Sequence, residues 1–247
     1  MVSILDSVRL SIESHPGARI ALLGAGFVSS VLYVVVDLAG SLRYPGYSYT
    51  DQAFSELTAQ GSPVRTLMIA ANAIPYTVLV SAFAAGVWIL ARPAHTARVT
   101  GALLGGYALV GLVGAAAFPM PTRGTDGTLR NTMHIPATAV MSLCIMLAMV
   151  FGARLLGKRF RWYSYATLAA LILFGLLTSL HGSRVANNES TPWMGIEERV
   201  NIYGTMLWFA VLSIGLLKVE AVDLTHQIAP RVTTFGRTNG GRPKLPA

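Results

Sequence analysis

The sequence predicts an all-α fold: a polytopic integral membrane bundle of six transmembrane helices with its N- and C-termini cytoplasmic. Three observations predict it. The 247-residue chain is 53% hydrophobic and only 12% charged, whereas a soluble domain carries about a quarter charged residues. Its apolar residues gather into six runs, 19–40, 64–91, 99–118, 133–155, 162–181 and 200–217. Several approach the roughly 20 residues that cross a hydrocarbon core as a helix. The runs are continuously apolar instead of alternating with period two, which argues against a β-barrel.

Residues 1–18 form a cytoplasmic leader. It mixes acids with bases, lacks a small-x-small cleavage site and precedes a run too long for a signal peptide. Ile4, Leu5, Val8 and Ile12 share one helical face, as in an interfacial amphipathic helix; a frayed terminus is the alternative. Residues 19–218 are the transmembrane domain. On the first span Gly26, Ser30, Tyr33 and Asp37 recur at three- or four-residue steps and so form one polar stripe.

The first connector, YPGYSYTDQAFSELTAQGSPVR, crowds four aromatic rings, two carboxylates and an arginine between apolar runs. Tyr44, Tyr47 and Tyr49 suit a membrane aromatic belt, as do Trp162 and Trp193. FSEL reads as a short interfacial helix with Phe54 and Leu57 dipped in lipid and Glu56 held inward. In SPVR, Ser62 reads as an N-cap and Pro63 as the first helical residue. Arg65, Asn72 and Tyr76 then line one face of the second span, where Pro75 can interrupt the helix.

Asn131, His134 and Thr138 open the fourth span, Thr178 and His181 end the fifth, and Glu197, Glu198, Asn201, Thr205 and Trp208 open the sixth. The third span carries glycines suited to close helix packing. Cys144 is the one cysteine, so neither an intrachain disulfide nor a Cys-based zinc site can form. Residues 219–247 read as a basic, disordered cytoplasmic tail.

Charge sets the expected orientation. The leader, the second and fourth connectors (ARPAHTARVT and ARLLGKRFRW) and the tail hold about twice as many Lys and Arg as the opposite side. That other side has Arg43, Arg65, Arg123, Arg130, Arg184 and Arg199. By the positive-inside rule, connectors one, three and five face outward. The net charge of +8 therefore reflects topology, and no nucleic-acid partner is expected.

Polar side chains are costly against lipid, so the stripes should face the bundle interior or a wet cavity. An outward vestibule roofed by the three rich connectors follows. Its acid and base candidates are Asp37, Glu56, His134, His181 and Glu198. Arg65, Arg123, Arg130, Arg184 and Arg199 could hold phosphate or carboxylate, with Asn72, Tyr76, Glu197 and Asn201 beside them. Structural readings stand next to these. Asp37 could pair with Arg43, His134 could hydrogen-bond its loop, and the two glutamates could complement a helix dipole.

At YPGYSYTDQAFSELTAQGSPVR, LRNTMHIP and IEERVNIYGTMLW the sequence resembles a bacterial and archaeal family of six-helix membrane proteins, domain-of-unknown-function 998 (DUF998). The resemblance covers residues 18–217. It implies the six-span topology and a bacterial plasma-membrane location, and it carries no catalytic residues to transfer. A more distant resemblance, through the Ser-containing outward loop and the Pro before the second helix, is to the Frag1/DRAM/Sfk1 group, which implies lipid remodelling or organisation.

Three functions remain open. The first is an enzyme acting on a lipid or isoprenoid substrate at the outer face, by acid/base, hydrolytic or terpene-cyclase-like chemistry. The second is a transporter or lipid-binding protein, and the third a structural partner of another membrane protein. Two histidines and a carboxylate could hold zinc, but the paired-His motif of membrane ceramidase-like hydrolases is absent, so no metal ligands are assigned. The expected partners are the lipid bilayer and a lipid-like or small hydrophobic ligand; a cofactor or protein partner is not legible.

Overall fold

The computed structural model describes residues 4–125 and 128–235. Helix α1 (Ile4–Ser14) is short and leads into α2 (Pro16–Arg43), which starts with Pro at its first position, where a missing N–H costs nothing. The structure describes the backbone of α1 but not the side chains of Ile4, Leu5 and Val8, which were expected on its apolar face.

The second span, Arg65–Leu90, is interrupted. It consists of α4 (Arg65–Leu67), a π-helical stretch Met68–Ala73, and α5 (Ile74–Leu90). Pro75 has no N–H for the preceding turn, and the wider π turn passes this point. The other long elements are α6 (Ala94–Ala117), α8 (His134–Gly152), α9 (Lys158–Ser179) and α11 (Met194–Phe235). Short helices α3 (Phe54–Leu57), α7 (Leu129–Thr132) and α10 (Gly182–Ala186) lie in the connectors at one end.

Among the described residues six helices are long and apolar enough to cross a membrane, so the protein is a multi-pass membrane protein. The sixth span was expected to end at 217 and the tail to begin at 219; α11 instead runs through Phe235. The remaining tail, 236–247, lies outside the described residues.

Packing follows an arc. Helix α6 packs most extensively against α8 and α5, α2 lies between α5 and α11, and α9 rests on α11, whereas α8 and α9 touch only lightly. The core holds Phe83, Tyr107, Met149, Trp208 and Phe209. Trp208 is fully buried because Gly152 leaves room for its ring and Ser164 accepts its indole N–H at 2.9 Å. The polar stripe of α2 serves this packing. Ser30 donates to the Met206 carbonyl at 2.8 Å, and Gly26 lies against the Phe83 ring, which a Cβ would strike.

No residue of α8 before Ile145, and none of α9 after Leu171, is fully buried. The two helices are therefore packed at one end and loosely covered at the end near α3, α7 and α10.

Candidate functional site

The three connectors at that end form one cap. Its apolar centre draws Ala53 and Ala59 from the first, Met120 from the third, and Val185 and Met194 from the fifth connector and the start of α11. Glu56 and Arg123 form a two-pronged ion pair, Nε to Oε2 and Nη2 to Oε1, both at 2.8 Å. Arg123 also donates to the Thr191 hydroxyl at 2.6 Å, and Thr191 donates to the Asp51 carbonyl at 2.7 Å. One guanidinium thus ties all three connectors together. Planar, bidentate donation of this kind is what Arg offers and Lys does not.

Phe54 and Leu57 of α3 are buried against Val36, Val64 and Met68. The expectation that they dip into lipid is corrected: the cap carries its own core, and α3 supplies part of it. Glu56 is held inward as expected. Ser62 does not cap the next helix; Val64 is its N-cap, and the Ser62 hydroxyl donates to the Leu57 carbonyl at 2.8 Å.

Beneath the cap lies a second, fully buried ion pair. Arg199 of α11 donates from Nε to Asp37 Oδ2 at 2.9 Å and from Nη2 to Asp37 Oδ1 at 2.8 Å. Asp37 is 0% and Arg199 2% exposed. The remaining guanidinium hydrogens reach the carbonyls of Tyr49 (2.9 Å), Gln52 and Gly195 and the hydroxyls of Ser41 and Tyr47. Tyr203 donates to Asp37 Oδ2 at 2.6 Å and meets the Tyr49 hydroxyl at 2.7 Å. The Tyr49 ring lies 3.7 Å from the guanidinium carbon, a cation–π contact.

Burial pushes the Tyr47 phenol well above its ordinary pKa; Arg199 opposes the shift, while Glu198 and Asp37 add to it. Tyr47 therefore stays neutral, able to donate to the carbonyls of Gln52 and Ala53. Asp37 pairs with Arg199 and not with Arg43, whose Nη1 reaches the Ala39 carbonyl. Tyr47 and Tyr49, read as belt residues, instead enclose a buried cation. Trp162 and Trp193 do stand exposed.

Trp193 has φ +69, in the region that L residues rarely adopt. Asp51 accepts its N–H at 3.1 Å, and this bond, with one from the Ser48 hydroxyl, lowers the Asp51 pKa. Two residues on, Gly195 passes so close to the carbonyls of Tyr49 and Gln52 that a Cβ would overlap backbone. Gly195→Ala should lower the unfolding midpoint in detergent, at the 1–3 kcal/mol of an overpacked site; an unchanged midpoint would show that the connector can give way.

Other candidates close off α6. Its last carbonyls lack helical partners, and Arg65, Arg130 and His134 supply them. Arg65 donates to the carbonyls of Ala115 (3.1 Å), Ala116 and Thr58; Arg130 donates to Ala117 at 2.6 Å and to Ala116. His134 Nδ1 is 2.9 Å from the Phe118 carbonyl. Asn131 donates to Pro119 at 3.0 Å and to Gln60. The two arginines and His134 thus complement a helix C-terminus. Arg184 is exposed on the cap.

His181 and Glu197 are different. His181 Nε2 lies 3.1 Å from Glu197 Oε2, at ion-pair distance but without hydrogen-bond geometry, and both side chains are largely buried. His181 Nδ1 is buried and, among the described residues, has no hydrogen-bond partner. Glu198 turns another way, beside the backbone N–H groups of Phe54 and Ser55, and its Oε2 is buried and unpartnered in the same sense. Asn201 donates back to the Glu197 carbonyl and lies close to Gly175 of α9. Asn72, on the π-helical stretch, is 3% exposed with Oδ1 unpartnered, and Tyr76 shares a hydroxyl contact of 3.1 Å with Tyr107.

The structure thus joins Asp37 to Arg199, Glu56 to Arg123 and His181 to Glu197, and keeps His134 apart at the end of α6. Among the described residues no three His, Cys, Asp or Glu side chains are grouped to hold a metal ion. Ser41, Tyr203, Gln52 and Thr191 were not singled out from sequence. Ser41 and Tyr203 follow Asp37 and Arg199 by four residues, so helical spacing was the available signal.

A family model described as protein of unknown function (DUF998) matches residues 27–215. No curated protein and no solved structure matches the chain significantly.

Proposed function

This chain belongs to the DUF998 family of membrane proteins, and from that premise we propose that it acts on a lipid or isoprenoid substrate at the capped end of the bundle. The observation that carries this reading is the His181–Glu197 pair. A carboxylate on one imidazole nitrogen orients the ring and leaves the other nitrogen to take or give a proton. Nδ1 of His181 is buried and unpartnered among the described residues, as a base awaiting a substrate proton would be. The pair sits where α8 and α9 are loosely covered, so an amphiphile in the bilayer has a lateral route to it. Glu198, turned toward Phe54 and Ser55, has no part in this pair.

The Lys and Arg distribution supports a cap outside and both termini in the cytoplasm, and the family resemblance favours a bacterial plasma membrane. Asp37, Glu56, Arg65, Arg123, Arg130, His134 and Arg199 form the scaffold in this reading, because their polar atoms are engaged with partners of the fold.

Purified protein incubated with a bacterial polar lipid extract should yield a new species by mass spectrometry. Saturable binding of an extract component with no new species would instead favour a transporter or lipid-binding protein, for which Asn72, its Oδ1 buried and unpartnered among the described residues, would be a ligand contact.

A further inference from the structure

The end of the bundle opposite the cap holds a cavity of about 510 Å³, within the range of small-molecule sites. Its rim is charged: Glu13 from α1, Arg19 from α2, Arg92 after α5, and Glu220 and Asp223 from α11. Its floor is apolar, with Leu23, Leu155 and Leu216 all buried. Arg19 and Glu220 form an ion pair at 2.6 Å with side chains 13% and 6% exposed. Arg19 Nε is buried and, among the described residues, lacks an acceptor. A guanidinium in a cavity wall with a spare donor suits an oxyanion.

We infer that this cavity binds a zwitterionic amphiphile: a primary ammonium joined to a phosphodiester, with the start of an acyl chain, as in phosphatidylethanolamine. Both signs of charge are required at the rim. A purely anionic head would meet three carboxylates, and a purely cationic one two guanidiniums. In a zwitterion the phosphate oxygens lie against the Arg92 and Arg19 guanidiniums. The ammonium donates to Asp223, and the first methylenes rest on the leucine floor. The cavity lies where the spans leave the hydrocarbon, the depth at which a headgroup sits. It is at the far end of the molecule from His181, so the inference stands apart from the function proposed for the cap.

The test uses the full chain purified in detergent, with dioleoyl phosphatidylethanolamine, phosphatidylglycerol or phosphatidylcholine added at equal mole fraction. A ligand of the folded state raises the unfolding midpoint in proportion to its occupancy. Phosphatidylethanolamine should give a saturable rise at least roughly twice that of the other two. The trimethylated head has no N–H to donate, and the glycerol head has no cation. Arg92 and Asp223 are exposed, so Arg92→Gln and Asp223→Asn should keep the lipid-free midpoint and each reduce the rise. Equal shifts with phosphatidylglycerol, or an undiminished rise in both variants, would overturn the inference. Free phosphoethanolamine should produce little shift; a full shift from it would remove the role given to the apolar floor.

Discussion

Arg199→Ala should be the most damaging single substitution in the transmembrane domain. It leaves Asp37, 0% exposed, as a buried carboxylate whose donors among the described residues are the hydroxyls of Ser41 and Tyr203. Removing one partner of a buried pair typically costs about 3–5 kcal/mol, because the uncompensated charge stays behind. It also frees the carbonyls of Tyr49, Gln52 and Gly195 from their shared donor. Arg199→Lys should recover little, since an ammonium cannot reproduce the two-pronged contact. The double change Asp37→Leu with Arg199→Met should recover much of the loss, because no charge is then stranded. Unfolding midpoints in detergent read all three. If Arg199→Ala matched the wild type, the clasp would not be what holds the cap on the bundle.

His181→Ala and Glu197→Gln should separate chemistry from folding. A positioned acid or base contributes about 10²–10⁴-fold to rate, so formation of the lipid product should fall by that order in His181→Ala. Glu197→Gln keeps the side chain's shape but removes the charge that faces the imidazole at 3.1 Å. It should lose rate while retaining the wild-type unfolding midpoint. His134→Ala is the control. It removes one bond to the Phe118 carbonyl, worth about 1 kcal/mol, and should shift stability with little effect on product formed per folded molecule. If His134→Ala abolished product while His181→Ala left it intact, the assignment of the acid/base group would be wrong.

The connectors show where sequence reading met its limit. Glu56 was legible as an inward carboxylate, because FSEL places it between two apolar residues on a short helix. Its partner was not, since Arg123 lies 67 residues away and nothing in a linear pattern couples two connectors. Phe54 and Leu57 look lipid-facing in isolation, because apolar residues at a membrane boundary suit lipid and protein core equally. Only the presence of Val36, Val64 and Met68 beside them decides for the core. Tyr47 and Tyr49 follow the same logic: a belt tyrosine and a tyrosine enclosing a guanidinium have the same local sequence.

The six spans were determined by the sequence alone. Span length and apolar content are properties of consecutive residues, and the hydrocarbon core accepts only helices that satisfy their own backbone. Helical periodicity likewise put Asp37, Asn72, His181 and the two glutamates on polar faces. Tertiary structure decided what those faces meet. Asp37 and Arg199, 162 residues apart, neutralise each other, while His181 and Glu197 pair with a ring nitrogen left over. Periodicity sets which way a side chain points on its own helix; the order and rotation of the neighbouring helices set what stands opposite, and these arise from packing among all six.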